Sequence, residues 1–473
     1  MQSLTNQLNS LVKTLEAGQY NVAPSNLTQG SALQTEDLQA VMHNVTYDDS
    51  HIKLQKMFSV KKSKSLLVQF NRQLSYGRFG GTAQREGSVG DVDVGDYIRA
   101  TVPMCFYSSV RRVTLAADMV DTIDGKSGTD REAQNAAMKI AGDIEFDMFR
   151  GKDDFSNAGV FDANPLAMAE LPNMLGVGAQ VRQSDFLLNT QDLMFDAYGS
   201  DQSVVLSKNG ALEQTVVEDA AVRSRMNLGK AEQMIVDPII LAGYNKAVAL
   251  ATAGAGGASM QRIMLAGSAQ DASGADLRRQ WVSNGTVSLE DSRFLSGKTS
   301  PHRATIGSPG APTVAAADNG PATGSLDAGQ YYYFVTAENE RGEGHKSVAV
   351  TTGAPTPVAA TSSITLTITP PAAGAGITHF NVYRGATADS AKYIGRVVNG
   401  GGLTTSFEDL GNKAPGFVTG YLVQKDCWGI HELSPYSRLK LAVSDLSTPE
   451  AHFRFLTLAG YEPRKNVLID NLF

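Results

Sequence analysis

Roughly a hundred residues between two Pro/Gly-rich junctions, Gly307–Pro312 and Lys413–Gly416, carry strand patterns and no helix pattern. The most telling run is QYYYFVTAENERGEGHKSVAV, residues 330–350. Tyr331, Tyr333, Val335 and Ala337 alternate with Tyr332, Phe334 and Thr336, and Asn339 and Gly342 close a turn. Alternating aromatic and β-branched residues mark a half-buried strand. Further short strands are expected at Ser347–Thr351, Ile364–Thr369, Phe380–Arg384, Tyr393–Val398 and Thr404–Phe407. Short strands at regular spacing predict a β-sandwich. Ile364, Leu366 and Ile368 should face Phe380 and Val382 in a core of its own. A chain with such a block in its interior folds as a host interrupted by a guest, at a loop that tolerates insertion. The two junctions read as hinges across which few contacts pass.

The host has a different character. In residues 2–17, Leu4, Leu8, Leu11, Val12 and Leu15 share one helical face, and Gly18 ends it. The polar stretch to about Ser50 reads as an arm tied down elsewhere. Residues 64–115 read as a long hairpin. One strand lies near Leu66–Leu74 and the tip, YGRFGGTAQREGSVGDVDVGD, is glycine-rich. The return strand sets Ile98, Ala100, Val102, Met104 and Phe106 on one face and Arg99, Thr101 and Cys105 on the other. A hairpin of this length is marginal in water unless it lies on a surface. Thr129 and Glu132 form a capping-box pattern before Ala133, Ala137, Ile140, Ala141, Ile144 and Met148, with Gly151 as the stop. Further helices are expected at 190–198 and Ala211–Leu228, a short buried strand at Val204–Leu206, a loop at 251–260 and a strand within 285–295. The host is therefore mixed α and β.

Composition narrows the function. The 473 residues suffice for two or three domains, and 42% are hydrophobic. Charged residues are only 19%, below the roughly 25% of soluble domains, which points to surface covered by partners. A net charge of −7 argues against a general nucleic-acid binder. Cys105 and Cys427 have no metal or disulfide spacing. The start, MQSLTNQLNSLVKTLEAG, lacks the layout of a secretion signal, so none is expected. The Asn-x-Thr sequons at Asn26, Asn44 and Asn284 are then accidental. No apolar run is long enough to span a membrane.

Catalytic motifs are scarce. RFGGTAQREG (78–87) lacks the Lys-Ser/Thr of a phosphate loop. Asp91, Asp93 and Asp96 begin like a calcium loop, but Val102 stands where its closing Glu belongs. Asp118, Asp121 and Asp124 would repel one another on a helix and read as a solvated edge. His43, His51, His302, His345, His379, His431 and His452 form no short ligand spacing. No catalytic, cofactor-binding or metal-binding residue is expected, and the chain is expected not to be an enzyme.

Two resemblances add to this. Tyr331, Tyr333, Val335, Ala337, Asn339 and Gly342–Glu343, the run SITLTITPP (363–371), FNVYR (380–384) and the ending Phe407–Asp409 resemble bacterial and phage fibronectin type III-like and immunoglobulin-like domains. Here the Tyr/Asn/Gly strand precedes the others, which implies a permuted strand order. The host resembles tailed-phage major capsid proteins of the Hong Kong 97-type fold. The resemblance rests on element order: arm, extended loop, spine helix, mixed axial domain, and a final strand in GYEPRKNVLIDNLF. It implies an α+β fold with an N-terminal arm (1–60), an extended loop hairpin (61–125), spine helix and axial/peripheral core (126–307), an inserted sandwich (308–412) and a return to the core (413–473). It also implies a major capsid protein, made in the host cytoplasm and assembling into an icosahedral virion shell around packaged double-stranded DNA. Its partners would be copies of itself in hexamers and pentamers, a portal, and a scaffold or decoration protein. DNA would be enclosed without specific binding, and no membrane is involved. The alternative is a phage tail or adhesin component whose sandwich binds surface sugars or proteins. An enzyme with an accessory sandwich is disfavoured by the lack of paired carboxylates and by the presence of only two Trp, Trp281 and Trp428.

Overall fold

The computed structural model describes residues 46–77, 82–90, 92–119, 127–152, 173–190, 204–254, 278–296, 308–352, 357–371, 376–443 and 446–473. The leucine face of the arm, the helix expected at 190–198, most of the loop at 251–260, Asp91, Asp121, Asp124, His43 and His302 lie outside the described residues.

Helix α1 spans Gly128–Arg150. Its cap is Ser127, whose hydroxyl accepts from Asp130 N at 3.2 Å, and not the expected Thr129. Thr129 instead donates its amide and hydroxyl to Asp118 Oδ1 at 3.0 and 2.9 Å, and Glu132 pairs with Arg111. Ile140, Ile144 and Met148 are buried as the periodicity requires. At the far end Gly151 N reaches Asp147 O at 2.8 Å. Helix α1 lies on a four-stranded sheet of β1 (Ser59–Lys62), β4 (Cys105–Thr114), β18 (Trp428–Lys440) and β19 (Ser447–Gly460), in the order β1-β18-β19-β4.

The hairpin pairs β2 (Leu67–Gln73) with β3 (Tyr97–Pro103) from Leu67↔Pro103 to Gln73↔Tyr97. The return strand is broken where one continuous strand was expected. After Pro103 the chain leaves the hairpin, Met104 N bonds Leu66 O at 2.9 Å, and β4 joins β19 instead. Met104 and Cys105 are consecutive and both buried, so the alternation slips by one residue and Phe106 turns outward, 56% exposed. A one-residue slip moves every later side chain to the other face.

A second host sheet has the order β5-β20-β17-β6-β8-β7. Its strands are β5 (Val205–Gly210), β6 (Gln233–Val236), β7 (Arg279–Val282), β8 (Gly285–Asp291), β17 (Val418–Val423) and β20 (Val467–Leu472). Helices α2 (Val177–Thr190), α3 (Gln214–Met226) and α4 (Pro238–Gly254) accompany it. Val216, Val217, Ala220 and Ala221 of α3 and Tyr244 of α4 close a core with Met234, Val236, Leu289, Val467 and Ile469.

Residues 313–409 form two facing antiparallel sheets. One holds β10 (Tyr331–Asn339), β11 (Gly342–Lys346), β12 (Val350–Thr352), β14 (His379–Gly385) and β15 (Lys392–Val398). The other holds β9 (Thr313–Asp318), β13 (Ile364–Thr369) and β16 (Thr405–Asp409). Ile364, Leu366 and Ile368 meet Phe380 and Val382 across the expected core, with Tyr333, Val335 and Ala337. Asn339 pairs with Gly342 at the hairpin turn, where Gly342 takes φ 122°, a backbone conformation that favours glycine. Strand β10 is buried on both faces rather than one. Phe334 joins Tyr383, Tyr393 and Phe417 in a separate cluster, while Thr336 donates to the buried Glu343 carboxylate.

Leu366 is fully buried in the middle of β13. Leu366→Ala should cost about 2–5 kcal/mol through lost burial and the cavity left behind. A lower urea midpoint by tyrosine fluorescence checks it.

Candidate assembly surface

The hairpin has two unlike faces. Val68, Phe70, Arg72, Ile98, Ala100 and Val102 turn towards their own chain, and Val68 and Val102 are buried. Phe70 meets Tyr461 edge to face at 5.3 Å, and Arg72 Nη2 donates to Gly460 O at 2.6 Å. Tyr461 is held in turn by Lys61 Nζ (3.1 Å to its oxygen, 4.6 Å to its ring) and by His431 Nε2 at 2.8 Å. The surface that the marginal hairpin needs is thus supplied by the end of β19 and by Tyr461 of the same chain. The opposite face, with Leu67, Gln69, Asn71, Gln73, Tyr97, Arg99 and Thr101, is exposed.

Towards the tip, Leu74 N bonds Asp96 O at 2.9 Å and Ser75 Oγ bonds Asp96 at 3.0 Å. Beyond them Val89 and Val92 are each 95% exposed, and Val94 and Tyr76 are also exposed. Val89, Val92 and Val94 thus set three apolar side chains in water on one loop, and exposed apolar side chains that gather into a patch mark interaction sites. Phe106, Val110 and Leu439 are separately exposed on the four-stranded sheet, where Phe106 meets Phe455 at 4.9 Å. Trp281 stands exposed on the edge strand β7, while Trp428 is buried with its indole donating to Asn466.

Buried charges fix the elements that carry this surface. The Glu145 carboxylate of α1, fully buried, accepts from the backbone amides of Lys53, Leu54 and Gln55 at 2.9, 2.7 and 3.2 Å. It thereby caps the helical turn Leu54–Met57, whose own N-cap residue offers no side-chain bond. Burial raises its pKa, and the three amides oppose that rise. Asp147, two residues on, accepts from Tyr107 at 2.7 Å and Asn173 at 3.0 Å; burial outweighs both and lifts its carboxyl to about 6. Asp470 behaves oppositely. Burial pushes it up, but Arg182 at 3.1 Å and Lys413 outweigh that and bring it to about 2.

The chemistry-bearing residues do not converge. His51 bonds Asp48, His379 bonds Glu338, His431 bonds Tyr461 and His452 bonds Tyr436. Asp93 binds the amide of Val94, Asp96 binds Ser75, and Asp118 binds Thr129. Among the described residues no group of His, Cys, Asp and Glu is arranged to hold a metal ion. Cys105 and Cys427 are buried free thiols, pushed up by burial to about 11 and about 12. No described helix is long and apolar enough to cross a membrane.

No protein-family model matches the chain, and no curated protein does. Solved structures do. The chain is similar to the capsid of the native GTA particle at 9% identity, over 96% of this chain and 97% of that one, with TM-score 0.44. It is similar to the capsid of cyanophage P-SCSP1u at 10% identity, over 96% and 98%, with TM-score 0.42. It is also similar to the holo-SrpI encapsulin complex of Synechococcus elongatus PCC 7942 at 8% identity, over 95% of each chain, with TM-score 0.36. At these scores they name what the chain is similar to and no more.

Asp470 gives a test of the buried charges. Its folded pKa of about 2 lies below its ordinary 3.8, so its stabilisation is fully present above pH 4 and lost as pH falls towards 2. Asp470→Asn should cost on the order of 2 kcal/mol at pH 7. The gap to wild type should narrow by about half by pH 3, read by urea unfolding between pH 7 and 3.

Proposed function

We propose that this chain is a shell subunit, a major capsid protein of the Hong Kong 97 type that assembles with copies of itself. The observation that carries the proposal is the two-faced hairpin. Its inner face is seated on its own sheet, and its outer face and the valines of its tip are exposed. Helix α1 lying across the four-stranded sheet, followed by the six-stranded sheet that the last strand enters, supports the same reading. In that reading the subunits form hexamers and pentamers of an icosahedral virion shell around double-stranded DNA, with a portal at one vertex and a scaffold or decoration protein as further partners. Synthesis is in the host cytoplasm. The chain carries no catalytic role, and the inserted sandwich is an immunoglobulin-like or fibronectin-like module on the outer surface.

Electron microscopy of the purified protein tests this. Closed shells or hexameric and pentameric rings are expected, and a particle that stays monomeric at high concentration overturns it.

The assembly contact has its own test. Val102 is buried against its own chain and Phe106 belongs to the sheet, so substitutions there would mix misfolding with loss of assembly. Val92→Asp with Val94→Asp places charge only on exposed positions. It should leave a soluble, folded monomer and raise the concentration needed for assembly by more than about tenfold, the effect of losing some 1.4 kcal/mol of contact energy. Sedimentation velocity and light scattering give the readout.

A further inference from the structure

The junctions around the sandwich have hinge-like composition, yet the structure fills the space between sandwich and host. In strand β15 the pairing with β14 shifts: Val382 faces Gly395 and Tyr383 faces Tyr393, so Ile394 is an extra residue. Such a bulge re-aims side chains. Ile394 and Val397 enter the sandwich core, while Tyr393 belongs to the cluster outside it and Arg396 reaches the host.

The contacts run to the C-terminal end of α1. Arg396, 7% exposed, donates Nη2 to Arg150 O at 2.9 Å. The Arg150 guanidinium stands 6.0 Å from the centre of the Tyr393 ring, and Phe417, next to β17, stacks on that ring at 6.4 Å. The last carbonyls of a helix have no partner within it and sit at the negative end of its dipole. A buried arginine satisfies both demands, and its charge also faces buried Asp147. The junction segment itself is pinned. Arg384 Nη2 donates to Lys413 O at 2.7 Å, Lys413 pairs with Asp470, Ala414 N bonds Asn471 Oδ1 at 2.9 Å, and Gly416 N bonds Tyr393 O at 2.7 Å.

We propose that the sandwich is a structural clamp of the host: it caps α1 and locks the β17–β20 pair, so the host fold depends on it. This reverses the expectation that the two junctions are hinges across which few contacts pass. It is independent of the shell reading, because its tests are made on the unassembled chain.

Hydrogen exchange on the full-length protein decides it. Arg396→Met keeps bulk and removes the cap. Amides 147–151 should exchange at least about tenfold faster, as expected when a buried hydrogen-bond partner is lost and a local opening becomes easier. Strand β13, on the far sheet of the sandwich, should keep its protection. Leu403→Ser, on an exposed loop, should change neither. Unchanged exchange at 147–151 in Arg396→Met overturns the proposal. If Arg396→Met also exposes β13, Lys413→Met decides, because Lys413 lies in the junction, outside the two sheets of the sandwich. Faster exchange in β17 and β20 supports the clamp, and unchanged exchange there overturns it. Replacing residues 309–415 with a Gly/Ser linker should lower the urea midpoint of the host; an unchanged midpoint also overturns it.

Discussion

The C-terminal half of helix α1 is the seam on which both host sheets depend. Ile140, Ile144, Met148 and Phe149 share one apolar cluster with Cys105, Ile430, Leu456 and Leu458 of the four-stranded sheet and with Tyr421, Val423, Ile235 and Leu468 of the six-stranded sheet. Neither sheet could bury that face alone. The same turns of α1 carry Glu145 and Asp147, acids in a place that disfavours charge, and each is held by hydrogen bonds from another part of the chain. A side chain that must be satisfied by distant donors admits few packings, so these acids set where residues 53–55, strand β4 and the segment at Asn173 come to rest.

Much of this is legible in the sequence wherever the signal is local. Ile364–Thr369 alternates strictly because one face meets the sandwich core and the other meets water, and its observed bounds are those expected. Helix α1 is legible because its apolar residues recur at helical spacing. Strand β11, GEGHK, and the alanine-rich β9 carry no alternation of apolar residues, and both escape notice. Helix α4 escapes too, because its sequence PIILAGYNKAVALATAG has little polar face from which a period could be read. The signal for β10 was present but read on one face only: Phe334 on the face opposite Tyr333 and Val335 shows that both sides are covered.

What the sequence hides is who pairs with whom. The break at Pro103 gives β4 to β19 rather than to the hairpin, and that decision rests on residues far along the chain. The pairing of Asp470 with Arg182 and Lys413 leaves no trace in spacing, since each residue alone reads as an ordinary surface charge. The assembly surface lies between these cases. The valines at 89, 92 and 94 are visible in the sequence, but only the structure shows that the hairpin's inner face is already occupied and that these valines are exposed.

The order of strands in the six-stranded sheet has a consequence in time. Strand β20 lies between β5 and β17, and β17 lies between β20 and β6. Strand β5 therefore has no neighbour to join, and β6 only β8, until residues 418–472 leave the ribosome, whereas residues 313–409 contain all the strands of the sandwich. Domains whose contacts are nearby in sequence fold sooner than those that must close long loops. During synthesis the sandwich can thus form while the host around it is still open. A nascent chain would carry a finished guest on an unfinished body, and its host sheet would close only when the last strands arrive.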